Sequence, residues 1–226
     1  MRSNNSYKGG KAGSGVYQNI INHLPEHDIF ISAFAGHCGV TRNKKPSYIT
    51  YLIDRSSSVI EYWKIQDSSV LLRHGDCLDI IPSLLKVSAG NDVLIYFDPP
   101  YLFDTRSHKR NIYEFEYSES DHLALIQYAI SLNCNVCISH YPCEMYDVGL
   151  QGWNTHDFVA MTRSGLRTER IYMNYEKPVK LQDYSYIGSD YRERERYKRT
   201  TNNILNKFKR MDPLLKNSIL QQLQNI

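Results

Sequence analysis

Apolar residues in this chain fall into short continuous runs and into longer stretches with helical spacing. Continuous β-branched and aromatic runs predict buried strands at Asp28–Phe34, Tyr48–Ile53 and Asp92–Phe97. Between them, apolar residues recur every three or four positions, which predicts helices at Ser56–Gln66 and Cys77–Lys86. Strands that alternate with helices in this way predict an α/β fold with a doubly wound, mostly parallel sheet.

The second half of the chain continues the alternation and then changes. The further predicted elements are a helix ending before Pro25, strands Val70–Arg73 and Asn135–Ser139, helix Asp121–Leu132, and a closing antiparallel pair, Phe158–Met161 with Arg170–Tyr175, around Ser164-Gly165. After Pro178 two helices are predicted, at Asp190–Arg210 and Asp212–Gln224, of which the first is highly basic. We therefore expect two parts: a sheet domain over residues 1–178 and a basic helical extension over residues 179–226.

Composition and charge argue against some classes of protein and suggest a kind of partner. The 226 residues are 42% hydrophobic and 23% charged, and no apolar run approaches the roughly 18 residues of a membrane helix. The first residues are polar rather than a secretory signal, so we expect a cytoplasmic protein. The net charge is +3, yet Ile187–Ile226 alone carries nine basic and four acidic residues. This tail suits a polyanionic partner or is a solvated helix face.

The five cysteines predict reduced thiols rather than a disulfide framework or a metal site. Cys134 and Cys137 form a CxxC, but they lie on or beside a predicted strand, where residues three apart point to opposite faces. A second ligand pair with zinc-like spacing is missing from the sequence. We therefore expect buried strand thiols and no metal.

Candidate binding residues follow the predicted strands, where ligands bind in open parallel sheets. Gly36 and Gly39 follow the first strand and allow a tight turn beside a ligand, although an ordinary strand–helix turn would look the same. Asp54 ends the second strand and is typical of either a ribose-binding acid or a helix N-cap. Asp76, after the third strand, is either a cap or a contact to the amino group of an adenine ring.

The sharpest motif is Asp98-Pro99-Pro100-Tyr101, directly after the most apolar strand. Two prolines make a rigid, non-helical exit, because each fixes φ and removes an N–H. This exit would hold the Asp98 carboxylate and the Pro99 carbonyl as two acceptors for one –NH₂ group. Tyr101 would supply an aromatic face on which a base could stack. A structural turn with a buried aspartate is the alternative.

These motifs, taken in order, resemble the DNA adenine methylase (Dam-like, class D12) family of N6-adenine methyltransferases. The resemblance includes Tyr7-Lys8-Gly9-Gly10-Lys11, the loop Phe34–Gly39, the DPPY motif, Ser139–Pro142 and Glu169–Tyr175, and Tyr186–Arg199 resembles the tail of phage-type members. It implies a Rossmann-like S-adenosylmethionine-dependent methyltransferase sheet with a closing antiparallel hairpin and a C-terminal helical extension. It also implies S-adenosylmethionine as cofactor.

The resemblance assigns roles to particular residues. Those expected to bind the cofactor are Tyr7, Lys11, Phe34, Ala35, Gly36, Cys38, Gly39, Asp54 and Asp76. Those expected to be catalytic are Asp98, Pro99, Pro100 and Tyr101.

One departure from the family concerns DNA recognition. The stretch from Asp76 to Asp98 holds only one helix and one strand, with no room for the usual target-recognition insert. Contacts to DNA must then come from elsewhere, or sequence readout is loose. The basic candidates are Arg42, Lys44, Arg106, Lys109, Arg110, Arg192, Arg196 and Arg199.

The implied reaction is methyl transfer to adenine N6 in double-stranded DNA, with the adenine flipped out of the helix. An RNA adenine-N6 methyltransferase would share the cofactor site, and a non-catalytic DNA-binding relative could keep the fold. A cytosine-N4 enzyme fits less well, because Asp rather than Ser precedes the Pro-Pro-Tyr. No membrane or metal partner is expected, a homodimer is compatible with the resemblance, and a bacterial or phage-infected cell is the implied setting.

Overall fold

The computed structural model describes residues 11, 13, 15–106, 113–162 and 165–224. By its internal contacts the chain divides into two compact units, Met1–Tyr184 and Ser185–Ile226. The boundary expected at residue 178 lies six residues before this division and stays a prediction.

The first unit is built on a seven-stranded sheet with the order β3-β2-β1-β4-β5-β7-β6. The strands are β1 Ile29–Ala33, β2 Ile49–Asp54, β3 Leu71–His74, β4 Val93–Phe97, β5 Asn135–His140, β6 Asn154–Thr162 and β7 Gly165–Met173. The strands β1 to β5 run parallel, and β7 lies antiparallel to both β5 and β6. The predicted fold class, a doubly wound sheet closed by an antiparallel hairpin, is confirmed.

Helices connect the strands. In the first unit they are α1 Val16–Ile21, α2 Gly39–Asn43, α3 Ser57–Gln66, α4 Cys77–Val87, α5 Glu119–Ser131 and α6 Glu144–Gly149, with a 3-10 turn at Phe103–Thr105. The sequence did not predict α2 and α6. They span five and six residues, which is less than two helical turns.

The centre of the sheet is the best-buried part of this unit. All five residues of β1 and all five of β4 are buried, because helices cover both faces of a parallel sheet. Strand β1 pairs with β2 on one side and with β4 on the other, so the two halves of the sheet extend in opposite directions from this point. The carboxyl ends of β1 and β4 therefore border the crevice in which doubly wound sheets bind ligands.

The cysteines are free thiols, as predicted. Cys38, Cys77 and Cys137 are buried. Cys134 is only partly buried and precedes β5 rather than lying in it, so the expectation of a buried strand thiol is wrong at that position. A disulfide does not form among these five residues.

The second unit contains two helices, α7 Tyr191–Lys209 and α8 Pro213–Leu223. The Asp190 carboxylate caps α7 by accepting from the N–H of Glu193, and Asp212 caps α8 in the same way. Neither helix contains a buried residue. Among the described residues, a helix long and apolar enough to span a bilayer was not found.

Candidate active site

The DPPY motif begins where β4 ends, and its aspartate forms an ion pair. Asp98 Oδ1 lies 2.7 Å from Nζ of Lys11, a residue 87 positions earlier in the chain. The side chains of Lys11 and Asp98 are 4% and 10% exposed. The structure thus brings together a lysine expected to bind the cofactor and an aspartate expected to be catalytic.

Two further side chains complete this cluster. The Lys11 ammonium donates a hydrogen bond to the Tyr101 hydroxyl, which in turn donates to Glu169 Oε2 at 3.2 Å. Nζ of Lys11 also lies 3.7 Å from Glu169 Oε2. Glu169 was not assigned a role from the sequence, because it lies in the antiparallel strand β7 and not at the carboxyl end of a parallel strand.

Burial and neighbouring charges shift the pKa values of Asp98 and Lys11 in this cluster. Burial raises the pKa of Asp98 to about 6; Lys11 opposes this rise and Glu169 adds to it. Burial alone would lower the pKa of Lys11, but the charges of Asp98 and Glu169 outweigh it and hold that pKa above its usual value. Near neutral pH Lys11 is therefore protonated and Asp98 is mostly ionised.

The ring of Tyr101 is buried and packed on several sides. The Lys11 ammonium lies 4.4 Å from the ring centroid, and the rings of His140 and Tyr141 lie at 4.8 and 4.4 Å. Arg106 Nε donates to the Tyr101 carbonyl at 2.7 Å. The residue therefore has a fixed orientation.

The segment after the motif is held by His140, at the end of β5. Its Nε2 accepts from the Leu102 N–H at 2.8 Å, so the ring proton is on Nδ1, which donates to the Tyr141 carbonyl. Burial lowers the pKa of His140 to about 3, which keeps the ring neutral. His140 was noted from its sequence motif, but this positioning role depends on a contact with a residue 38 positions away.

Asp54 connects the end of β2 to the loop after β1. Its Oδ2 accepts from the Gly36 N–H and its Oδ1 from the Ser56 N–H, both at 2.8 Å. The N-cap position of α3 is Ser56, so the alternative interpretation of Asp54 as the cap is wrong. Gly36 and Phe34 both have positive φ, 42° and 65°. This backbone conformation turns the loop toward the carboxylate.

These residues border one cleft, which encloses about 640 Å³ of empty space counted to its open mouth. Its lining combines the β1 loop, the end of β2, the DPPY motif and the segment before α5. The lining residues are Phe34, Ala35, Gly36, His37, Cys38, Asp54, Arg55, Ser56, Asp98, Pro100, Tyr113, Glu114, Phe115 and Tyr117. Asp54 and Asp98 thus face the same cavity.

Three described residues expected to bind the cofactor, Lys11, Gly39 and Asp76, are not in the lining of this cleft. Asp76 caps α4 by accepting from the Leu78 N–H at 2.8 Å, and it forms an ion pair with Arg55. The structural alternative for Asp76, a helix cap, is confirmed. Gly39 is buried at the start of α2.

Two of the residues predicted to contact DNA, Arg106 and Lys44, are buried, which argues against that role. The Arg106 side chain is 4% exposed, and its guanidinium pairs with Glu116 and the Tyr101 carbonyl. Lys44 is buried as well, with Nζ donating to the Lys45 carbonyl and to Ser47 Oγ. Both cations are buried and already bind acceptors inside the protein, so neither presents its charge to a phosphate at the surface.

The other predicted DNA contacts have different positions. Arg42 is exposed, and its guanidinium contacts Tyr62 and the His37 carbonyl. In the second unit, Arg192, Arg196 and Arg199 are exposed on α7, where Arg196 pairs with Glu193 at 2.9 Å. Lys109 and Arg110, like the cofactor candidate Tyr7, lie outside the described residues. Clusters of three or more metal-ligating side chains are absent from the ranges that the structure describes.

Comparisons with known proteins gave similarity in structure only. No family model matches the chain, and no curated protein matches it. An rRNA methylase from Streptococcus thermophilus is 12% identical, with 70% of this chain and 90% of that chain covered and a TM-score of 0.42. The magnesium protoporphyrin IX methyltransferase of Synechocystis PCC 6803, with bound SAM, is 10% identical, with 70% and 75% covered and a TM-score of 0.41. The Dnmt2 methyltransferase of S. pombe is 13% identical, with 67% and 53% covered and a TM-score of 0.43. Similarities at this level do not identify a family or a substrate.

Proposed function

We propose that this protein is an S-adenosylmethionine-dependent methyltransferase that modifies the N6 amino group of adenine in DNA. The observation that carries the proposal is the position of Asp98. Its carboxylate follows the central strand β4, lines the cleft and is paired through Oδ1 with Lys11. Oδ2 is the oxygen that we assign to an incoming amine.

The side chains that line the cleft fit the chemistry of the proposed cofactor. Aromatic rings from Phe34, Phe115 and Tyr117 line it, together with a few polar groups. Asp54 offers a carboxylate at one side, and carboxylates at this strand end accept hydrogen bonds from ribose hydroxyls in related sheets. Phe34 to Cys38 would lie along the bound molecule. When bound, S-adenosylmethionine supplies a methyl group on a positively charged sulfur.

The residues of this chain would act on the amine that receives the methyl group. Adenine N6 is a weak nucleophile, because its lone pair is delocalised into the ring. Hydrogen bonds from the amine to Asp98 Oδ2 and to the Pro99 carbonyl would favour a tetrahedral nitrogen with a localised pair. Both acceptors would also stabilise the positive charge that develops on nitrogen during transfer. The extra proton would then leave through Asp98 or to water.

The rigid setting of these acceptors supports the proposal. Pro99 and Pro100 are buried and fix the backbone that carries both oxygens. Tyr101 is held by Lys11, His140 and Tyr141, and its hydroxyl accepts from the Lys11 ammonium that pairs with Asp98. A base inside a duplex cannot reach a cleft of this kind, so the adenine would be flipped out, at a cost of roughly a few kcal/mol.

A transfer assay tests the proposal directly. Radiolabel would be followed from S-adenosylmethionine to duplex DNA, single-stranded DNA and RNA of matched sequence. We expect label on duplex DNA, and sequencing-based mapping should place it on adenine. Label on RNA alone, or on cytosine, would contradict the assigned substrate.

Two variants link the activity to the site. Asp98→Ala should abolish transfer while calorimetry still detects S-adenosylhomocysteine binding and circular dichroism shows a folded chain. Asp104→Asn is the matched control, because Asp104 is exposed and follows the motif by only a few residues. Full activity in Asp98→Ala would remove Asp98 from the mechanism.

A further inference from the structure

Glu169 is a buried carboxylate that the proposed chemistry has not used. Its side chain is 8% exposed and projects from β7, next to Arg170, which pairs in register with His140 at the end of β5. Burying an ionised carboxylate is costly unless it is paired. Its partners in the described part of the chain belong to the active-site cluster: the Tyr101 hydroxyl at 3.2 Å and the Lys11 ammonium at 3.7 Å.

The distances show how the lysine charge is divided. Nζ of Lys11 is 2.7 Å from Asp98 and 3.7 Å from Glu169, so one ammonium faces two carboxylates. With Lys11 protonated and both acids ionised, the three groups carry a net charge of one negative unit. A positive charge that develops on a bound amine would neutralise this excess, and in a buried site such an interaction is strong.

We propose that Glu169 is a positioning residue for methyl transfer: it shares the Lys11 charge with Asp98 and anchors the Tyr101 hydroxyl, so that Asp98 remains a strong acceptor for the substrate amine. This inference rests on the proposed function. If Lys11 paired with Asp98 alone, the charge of Asp98 would be more fully neutralised. Asp98 would then attract the positive charge that develops on the amine less strongly. The direction of the pKa shift at Asp98, which Glu169 raises, agrees with this arrangement.

Other groups near Asp98 do not complicate its titration. Burial raises the pKa of each neighbouring hydroxyl and thiol, and burial lowers that of the neighbouring imidazole, so these groups stay neutral between pH 5 and 8. They are Tyr96 of β4, Cys38 of the β1 loop, Tyr101, Tyr113, Tyr141 and His140. Among the described residues, Lys11 and Glu169 are therefore the charged partners of Asp98.

The test is a titration of Asp98 in the full-length chain, with and without the Glu169 charge. Carboxyl ¹³C signals of aspartate would be followed by NMR against pH, and the Asp98 signal assigned by its loss in Asp98→Asn. In Glu169→Gln, which keeps an acceptor for the Tyr101 hydroxyl, the Asp98 midpoint should move to lower pH. Glu176→Gln, at an exposed position outside the cluster, is the matched control and should leave it unchanged.

Kinetics on duplex DNA supply the second readout. In Glu169→Gln we expect kcat to fall by about ten- to hundredfold with KM for DNA nearly unchanged, and the acid limb of the pH profile to move to lower pH. Glu169→Asp, which keeps the charge, should recover most of the rate. An unmoved Asp98 midpoint, or equal loss in both variants, overturns the inference.

Two further results test the role of Glu169 separately from the proposed function. If Glu169→Gln does not fold, a wild-type Asp98 midpoint near the usual value for aspartate overturns the inference by itself. If the wild type transfers no methyl group to adenine, the proposed function fails, whereas the NMR titration still decides whether Glu169 tunes Asp98.

Discussion

Asp54 Oδ2 accepts a hydrogen bond from the backbone N–H of Gly36 at 2.8 Å. This bond joins the end of β2 to the loop that follows β1, two neighbouring parallel strands. The other oxygen of Asp54 accepts from Ser56, and burial raises the pKa of the carboxyl while these two N–H donors lower it. A single side chain thus shapes one wall of the cleft and presents a carboxylate to it.

Removing this carboxylate should weaken ligand binding. In Asp54→Ala we expect affinity for S-adenosylhomocysteine to fall by about ten- to hundredfold, because hydrogen bonds to a charged group are removed and the loop at Gly36 loses its anchor. Isothermal calorimetry would measure the change, with Asp79→Ala, at an exposed position in α4, as control. Unchanged affinity would show that Asp54 supports the backbone only.

The activity should depend on pH through Asp98. Because its pKa is raised to about 6, the protonated fraction grows as pH falls through that value. A protonated Asp98 accepts the amine poorly, so kcat/KM should fall about tenfold per pH unit below the midpoint. Steady-state rates at fixed ionic strength would show this limb, with circular dichroism at each pH to exclude unfolding. A fall in kcat/KM that begins only near pH 4 would contradict a pKa of Asp98 that burial has raised.

Arg106 should matter for stability rather than for DNA binding. Arg106→Ala removes the buried guanidinium that pairs with Glu116 and frees the Tyr101 carbonyl. We expect a loss of about 3 kcal/mol in the free energy of unfolding, measured in urea. Arg73→Ala, on the exposed edge strand β3, should cost far less. Equal costs for the two variants would contradict the buried role of Arg106.

Acid should destabilise the first unit through its buried histidines. Burial lowers the pKa of His27 and His140 to about 3, and that of His23 and His122 to about 4. Between these values and the ordinary 6.5 the unfolded chain binds more protons, so stability is lost as pH falls through this window. The raised pKa values of Asp98 and Asp54 act in the opposite direction, but they are two carboxyl groups against four histidines.

Urea unfolding at about pH 7.5 and at about pH 5 would measure this loss, which approaches about 1.4 kcal/mol per histidine for each pH unit below the ordinary value of 6.5. His27→Gln should reduce the difference between the two conditions. His74→Gln, at an exposed position, should leave it unchanged. A protein that becomes more stable as pH falls through this window would contradict the destabilising effect of the four histidines.

The basic helix α7 should contribute phosphate contacts if the tail binds DNA. Reversing the charge at Arg196 and Arg199 should weaken binding and reduce the slope of log affinity against log salt by about one unit for each phosphate that is no longer neutralised. Fluorescence anisotropy at several salt concentrations would measure the slope. Lys64→Glu, on the exposed face of α3, is the control for a general change in net charge. An unaltered slope would assign the tail another role.

The sequence by itself determined the succession of strands and helices along the chain and the position of the DPPY motif at the end of β4. Both depend on local patterns, since a continuous apolar run predicts a buried strand and two prolines predict a rigid exit. The mostly parallel sheet followed from the alternation of strands with helices. The short helices α2 and α6 left no such pattern.

Only the tertiary structure decided what each charged side chain does. It brought Lys11, Asp98 and Glu169 together from the N-terminal segment, the end of β4 and β7, and it buried Arg106 and Lys44, which the sequence presented as surface cations. Charges carry no periodicity that reveals their partners. Whether a charge is exposed or paired depends on contacts between residues far apart in the chain, and these exist only once the sheet has formed.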